Sequence, residues 1–210
     1  MRDPESVVYT GTTITPTFTL LTDPEGKDVS TAINSSNYNV RIEKYTGTGY
    51  TVVGSIVDVG TYMVYAVGKG TYGGEKLIYA ALEVKKANIP TPTVATIDGQ
   101  VYDGDSHDLI TVSDVPEETT VKYYYTEIEA SDYSNSSFQL LSEPGEDEFS
   151  ATVPTTTDAG YFALLYRIDG GDNYNDIEAG ELIKVAFLHA EIKSMTLDTE
   201  SLSYTGTAQT

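Results

Sequence analysis

A short sequence mark recurs along this chain and limits the folds that it can adopt. Val8-Tyr9-Thr10-Gly11 has counterparts in Val101-Tyr102-Asp103-Gly104 and Ser203-Tyr204-Thr205-Gly206, whose tyrosines follow at intervals of 93 and 102 residues. A second mark, Asp-x-Gly followed by an aromatic residue, begins at Asp58 and again 100 residues later at Asp158. A period of about a hundred residues is the size of one small domain. The order of the marks therefore predicts a duplicated unit.

The recurring marks place the domain boundaries. Each repeat is long enough to close its own hydrophobic core, so we predict one domain in residues 1–90 and a second in 91–192. Residues 193–210 lack the later strands of such a unit, and we predict that they are the start of a truncated third repeat. Pro90-Thr91-Pro92-Thr93 favours extended backbone and predicts a stiff joint. We expect repeats joined in this way to line up as a rod, with charge keeping them apart.

The apolar pattern is that of strands. Tyr38–Glu43 alternates apolar and polar residues, and Val121–Tyr125 is the corresponding strand of the second repeat. Residues 130–148 are rich in Ser, Asp and Glu, and we predict an exposed hairpin with a loop there. Because no segment sustains a 3.6-residue apolar period, the sequence predicts an all-β fold of two tandem β-sandwiches.

The marks themselves are interpreted as structural. Asp-x-Gly-x-Tyr is typical of the corner before a late sandwich strand, where the tyrosine hydroxyl bonds to backbone upstream. The glycines allow the turns. In the second repeat the aligned ring belongs to Phe162, which has no hydroxyl to make that bond. The residues assigned to this structural motif are Tyr9, Gly11, Asp58, Gly60, Tyr62, Tyr102, Gly104, Asp158, Gly160 and Phe162.

Composition excludes several classes of function. The net charge of -20 disfavours binding to nucleic acid or to an anionic membrane, and no apolar run is long enough for a spanning helix. Cysteine is absent, so there is no disulfide, thiolate nucleophile or cysteine-ligated metal. Neither of the two histidines lies in a readable catalytic arrangement. We therefore predict that the chain is not an enzyme.

The marks together resemble a known family. Tyr-Asp-Gly-Asp-Ser-His at 102–107, Asp-Ala-Gly at 158–160 and Asn173-Tyr174, with their first-half counterparts, are similar to the bacterial immunoglobulin-like repeats called MBG or YDG domains. Those repeats occur in tandem in large secreted and cell-surface proteins. The resemblance implies two immunoglobulin-like β-sandwiches in an extracellular or cell-surface protein. It also implies a spacer or stalk that presents another functional domain, with neighbouring repeats as partners and no catalytic residues.

An adhesion module is the alternative that the sequence leaves open. In that hypothesis the 130–148 loop and the candidate contact residues Tyr123, Tyr124 and Tyr133 bind a carbohydrate or a host protein. Strand alternation alone also explains the run of three tyrosines at 123–125, with one ring buried and its neighbours partly exposed.

One loop is a weak candidate for binding Ca2+, and no other cofactor is expected. Its carboxylates crowd together but do not have the spacing of an EF-hand, and such clusters are common in solvated loops. The candidate ligands are Asp169, Asp172, Asp176 and Glu178.

Overall fold

The fold is all-β, as predicted. A computed structural model describes residues 5–16, 18, 35–70 and 78–195. The sequence also predicts a turn at 22–27, from its proline and glycine, and a glycine-rich hairpin connection at 68–74. The turn, residues 71–74 of the connection and the Tyr-x-Gly at 204–206 lie outside the described residues. We refer to the described residues up to 90 as the N-terminal half and to residues 91–195 as the C-terminal half.

The N-terminal half is built on one five-stranded sheet. Its strands are β1 (Glu5–Val8), β2 (Tyr38–Tyr45), β3 (Tyr50–Val53), β4 (Gly60–Gly68) and β5 (Ile78–Lys85), and a two-residue strand β6 (Ala87–Asn88) follows. The strand order is β1-β5-β4-β2-β3, with β1 parallel to β5 and the other pairs antiparallel. Tyr62, Val64 and Ala66 alternate along β4 and are all buried, as the period of two predicts.

The C-terminal half has a four-stranded sheet and two short strand pairs. Its strands are β7 (Thr93–Thr96), β8 (Gln100–Val101), β9 (His107–Asp108), β10 (Ile110–Ser113), β11 (Thr120–Ile128), β12 (Thr155–Thr156), β13 (Gly160–Asp169), β14 (Tyr174–Asn175) and β15 (Ile183–Leu188). The larger sheet has the order β8-β15-β13-β11, and β7 pairs with β10 and β9 with β12. Strand β8 is parallel to β15, whereas the other neighbours in this sheet are antiparallel.

The two main sheets share their strand order and their register. In the N-terminal half Val84 pairs with Gly60 on one side and Val7 on the other. In the C-terminal half Phe187 pairs with Gly160 on its antiparallel neighbour and with Gln100 on its parallel neighbour, as Val84 does with Gly60 and Val7. Corresponding residues therefore differ by 93 in the opening strand, 100 after Asp-x-Gly and 103 in the closing strand.

Each half has its own cluster of buried apolar side chains. The N-terminal cluster consists of Tyr9, Ile42, Ile56, Tyr62, Val64 and Val84. The C-terminal cluster consists of Ile97, Leu109, Ile110, Tyr123, Phe162, Leu164, Val185 and Phe187. The two clusters are separate, and Tyr174 of the C-terminal half packs against the N-terminal one.

The segment 130–148 differs from its prediction. We expected a hairpin, but the structure has a short helix α1 (Ala130–Ser134) and a single 3-10 turn at Glu146–Glu148. Serine and asparagine side chains bond to nearby backbone here, as Ser134 does to the Ala130 carbonyl, which competes with a strand ladder. Lys184 of β15 then donates to the carbonyls of Asp132, Tyr133 and Asn135 and holds the end of the helix on the sheet. None of the helices in the described ranges has the length and apolar character to cross a membrane.

Candidate functional site

A set of polar contacts among the described residues joins the two halves. We call it the junction. It consists of Tyr9, Asp58, Val59, Lys86, Ala87 and Asn88 from the N-terminal half with Glu118, Gly171, Asn173, Tyr174 and Asn175 from the C-terminal half.

Asn173 is the centre of the junction. It is 6% exposed and is the one buried polar side chain among the residues that the structure describes. Its Oδ1 accepts a hydrogen bond from the Val59 backbone N–H at 3.0 Å, and its Nδ2 donates to Glu118 Oε2 at 2.7 Å. Nδ2 also lies 3.5 Å from Asp58 Oδ1. A buried amide requires partners, and Asn173 finds them in both halves.

Tyr9 and Glu118 make the second contact across the junction. The Tyr9 hydroxyl donates to Glu118 Oε1 at 2.6 Å, and its ring meets Tyr174 edge-on with centroids 5.4 Å apart. The hydrogen bond to Glu118, together with burial, raises the pKa of Tyr9 to about 12. Hydrogen bonds from the Asn173 amide and from the Tyr9 hydroxyl lower the pKa of Glu118. The contact therefore favours a neutral tyrosine and an ionised glutamate.

Backbone pairing also joins the halves. Strands β6 and β14 pair in parallel, with Tyr174 opposite Ala87 and Asn175 opposite Asn88. The Ala87 N–H donates to the Asn173 carbonyl at 3.0 Å, and Lys86 Nζ donates to the Gly171 carbonyl at 2.7 Å. The expectation that charge keeps the repeats apart is therefore wrong for this pair. Neutral donors from both halves, the Tyr9 hydroxyl and the Asn173 amide, satisfy the Glu118 carboxylate, so the negative net charge does not prevent the contact.

The turn that carries Asn173 is held by carboxylates. Asp169 accepts from the Gly171 N–H at 3.0 Å, and Asp176 accepts from the Gly170 N–H at 2.8 Å. The Gly171 N–H, with Lys122, lowers the pKa of Asp169. A side chain at Gly170 would collide with the Tyr174 carbonyl, so glycine is required for this turn. Sequence reasoning named these two acids as weak candidates for binding Ca2+, and in the structure they accept hydrogen bonds from the backbone that presents Asn173.

The remaining two candidate calcium ligands, Asp172 and Glu178, are exposed. Within the described ranges, no three histidine or acidic side chains converge as a metal site would require. The structure gives the calcium hypothesis no support, and it stays a prediction.

The corner motif holds its turn differently in the two halves. The Tyr62 hydroxyl donates to the Asp58 carbonyl at 2.7 Å, which is the upstream bond expected of such a corner. Phe162 occupies the corresponding place in the C-terminal cluster, where it is 3% exposed. In that half Thr156 Oγ1 donates to the Asp158 carbonyl at 2.9 Å. The sequence analysis placed Tyr9 in the same structural motif. In the structure Tyr9 also contacts Glu118 and Tyr174 of the C-terminal half.

The three candidate contact tyrosines have three different environments. Tyr123 lies in the C-terminal core and is not available as a surface platform. Tyr133 donates its hydroxyl to Asp98 at 2.9 Å and packs against Tyr161 with centroids 5.2 Å apart. The hydrogen bond to Asp98 raises the pKa of Tyr133. Tyr124 lines an open cleft.

The loop that follows α1 is flanked by two clefts. The larger, of about 740 Å³, lies between this loop and β11 and is lined by Tyr124, Glu127, Glu129, Asp132, Phe138 and Leu141 among others. The smaller, of about 550 Å³, lies between the same loop and β15 and includes Leu165 and Lys184. Leu141 is fully exposed.

The comparisons with known proteins add no assignment. A scan against protein-family models finds no match, and a search of curated proteins finds no similar sequence. The function must therefore be argued from the junction and the clefts.

Proposed function

We propose that this chain is a stiff spacer made of two tandem immunoglobulin-like repeats, part of a large secreted or cell-surface bacterial protein in which it presents another functional domain. The observation that carries the proposal is the buried side chain of Asn173, which accepts a backbone N–H of the N-terminal half while it donates to Glu118 of the C-terminal half. A spacer keeps the domain that it presents at a set distance only if its joints are rigid. The contacts of Asn173 hold the joint between these two halves.

The energetics favour a closed junction. If the halves separated, the Val59 N–H, the Asn173 amide and the Tyr9 hydroxyl would all lose their partners across the interface. The hydrogen bond between the Val59 N–H and the buried Asn173 amide contributes about 1 kcal/mol. The pairing of β6 with β14 and the contact between Tyr9 and Tyr174 add to this. Since several contacts must break together, the joint resists bending.

The shared register of the two sheets supports the assignment to tandem repeats. Four strands of the N-terminal sheet, β1-β5-β4-β2, follow the same order as β8-β15-β13-β11, with a constant offset inside each strand. A duplicated unit produces such a correspondence. The large negative net charge agrees with an exposed position in a secreted or surface protein, because it keeps a long polypeptide soluble.

Stiffness of the junction is testable by distance measurements between spin labels. The chain has no cysteine, so the substitutions Val52→Cys in β3 and Glu127→Cys in β11, both at exposed positions, introduce the only thiols. Pulsed electron paramagnetic resonance on the labelled protein should give a single narrow distance distribution. The same pair in an Asn173→Ala background should give a broader one. A native distribution as broad as that of Asn173→Ala would overturn the proposal.

A second candidate function is adhesion through the larger cleft. Its volume of about 740 Å³ lies in the range of small-ligand sites. Tyr124 offers an aromatic ring, while Glu127, Glu129 and Asp132 offer carboxylates that accept hydrogen bonds from sugar hydroxyls. This arrangement favours a carbohydrate as the ligand in that function.

A glycan array tests the adhesion candidate. Binding by the native protein that is lost in Tyr124→Ala and kept in Tyr125→Ala would support it, because Tyr125 is 49% exposed on the same strand but does not line the cleft. Binding that is equal in all three proteins, or none above background, would remove this candidate and leave the spacer proposal unaffected.

A further inference from the structure

The N-terminal half meets the C-terminal half through a surface that has a counterpart elsewhere in the molecule. We call Tyr9, Val59 and residues 87–89 the first docking surface. The register offsets of the opening strand, the Asp-x-Gly turn and the closing strand place their counterparts at Tyr102, Ala159 and residues 190–192. We call this set the second docking surface.

The two docking surfaces differ in what covers them. Tyr9 is 5% exposed, whereas Tyr102 is 42% exposed. Ile89 is 8% exposed, whereas Ile192 is 91% exposed. Apolar side chains of this size are rarely left so open on a monomer at positions that a duplicate unit buries. Within the described part of the chain, the second surface therefore has the apolar groups of an interface but leaves them exposed.

The polar groups show the same difference. The Val59 N–H donates to Asn173, whereas the Ala159 N–H has no acceptor among the described residues. Residues 87–88 pair with β14, whereas Ala190 and Glu191 are exposed and belong to no strand in the described part of the chain. An unpaired edge next to a free N–H is suited to a backbone partner.

We propose that the second docking surface binds a third repeat of the same kind, which presents an Asn-Tyr turn and an acidic residue as the C-terminal half presents Asn173, Tyr174 and Glu118. This inference rests on the spacer function proposed above. The occupant follows from the sequence: a further Tyr-x-Gly begins at Tyr204, twelve residues after Ile192, and Tyr102 lies thirteen residues after Ile89.

The chemistry of the second surface suits this occupant. Tyr102 can donate to a carboxylate as Tyr9 does to Glu118. The Ala159 N–H can donate to the amide oxygen of the incoming asparagine, as Val59 does. Where Asn88 accepts from Asn175 Nδ2 at 2.8 Å, Glu191 supplies a carboxylate acceptor. Lys86, which donates to the Gly171 carbonyl on the first surface, corresponds to His189, so an imidazole takes the place of the ammonium donor.

The test extends the native chain with an additional copy of residues 91–192 placed directly after Ile192. Only the native 1–192 part carries ¹⁵N, so that the Ala159 amide of the second docking surface is observed alone. If the added copy docks, exchange of the Ala159 amide with solvent should slow by about tenfold or more relative to the unextended chain. Asn173→Ala in the added copy alone should return the rate to within about twofold of that of the unextended chain.

Either of two outcomes overturns the proposal. One is an Ala159 exchange rate unchanged by a folded added copy, whose folding is read from the dispersed methyl signals of its own Leu164. The other is an added copy that does not fold. The first docking surface binds a folded copy of this sequence, so an equivalent second surface must do the same. The spin-label distances within the native chain do not depend on the added copy, so a failure of the spacer function is recognised separately.

Discussion

The two halves of the molecule differ in which side chain donates to the carbonyl of the aspartate that begins the Asp-x-Gly turn. In the N-terminal half the Asp58 carbonyl accepts from the Tyr62 hydroxyl at 2.7 Å. In the C-terminal half Phe162 stands in place of Tyr62, and the Asp158 carbonyl accepts from Thr156 Oγ1 at 2.9 Å. The residue that corresponds to Thr156 is Ile56, which has no donor. The turn thus requires a donor for this carbonyl, and either side of the turn can supply it.

The difference extends into the cores. Because Thr156 supplies the hydroxyl, the aromatic residue at position 162 needs none and is a phenylalanine. The closing strand of this half carries Phe187, where the N-terminal half has Val84. Both of these side chains are 1% exposed. A shared backbone register therefore accommodates cores of different size.

The largest expected effect comes from emptying the two corresponding core positions. Phe187→Ala should lower the free energy of unfolding by about 3–5 kcal/mol, because it leaves a cavity the size of a phenyl ring. Val84→Ala should cost on the order of 2 kcal/mol, since only two methyl groups are lost. Urea denaturation followed by NMR signals of each half measures both. Equal losses would contradict the view that the C-terminal half depends on its larger rings.

A change at the junction tests whether the halves stabilise each other. Asn173→Ala should cost about 1–3 kcal/mol, because the Val59 N–H loses its acceptor and Glu118 loses a donor. The loss should appear in the unfolding of both halves. Asn175→Ala is the matched control, since it removes an exposed amide contact of the same turn and should cost about 0.5 kcal/mol or less. If both variants behave alike, the buried amide does not hold the junction.

The turn carbonyl offers a paired test of smaller effect. Tyr62→Phe should cost about 0.5–1.5 kcal/mol, because it removes the donor to the Asp58 carbonyl and leaves the ring in place. Thr156→Val should cost a similar amount of about 1 kcal/mol in the other half, since it removes the bonds that Thr156 makes to Asp158. Thermal unfolding of the two variants gives the values. A neutral Thr156→Val would mean that the C-terminal turn needs no donor.

The smallest effect is a dependence of the junction on pH at both extremes. The folded-state pKa of Glu118 is lowered, so its contribution is present above its unfolded value and is lost as the pH falls through the folded pKa. The folded-state pKa of Tyr9 is raised to about 12, so its contribution is complete below the unfolded value of 10.0 and is lost as the pH rises through about 12. The Val59 amide signal should therefore change below about pH 4 and above about pH 10.

Two variants separate the acidic from the alkaline change in the Val59 amide signal. Glu118→Gln should abolish the acidic change in the Val59 signal, and Tyr9→Phe the alkaline one. A pH dependence that persists unaltered in both would place the titrating groups elsewhere.

The sequence predicted the strands well because their signal is local. Alternation in 38–43 and 121–125 gave β2 and β11, and the Asp-x-Gly mark located the start of β4 and β13. It did not predict α1, because serine and asparagine bonds to neighbouring backbone and the Lys184 contact from β15 decide that segment.

The contacts of the junction could not be predicted from the sequence, because they join residues that are far apart in the chain. Asn173 and Val59 are distant in the chain, and nothing local to either residue indicates that they meet. The acids around Asn173 suggested a calcium loop, since a carboxylate that caps a turn and one that binds a cation have the same composition. The one usable signal was the Gly-Gly pair before Asn173, which marks a tight turn but not its partner.

The central claim is that the two halves are held as one rigid unit by the junction, and residual dipolar couplings of the weakly aligned native protein test it most directly. We predict that couplings from the N-terminal and C-terminal halves fit a single alignment tensor, with the relative orientation that the Asn173 contacts impose. Two tensors of clearly different magnitude would show that the halves move independently, and would contradict the account.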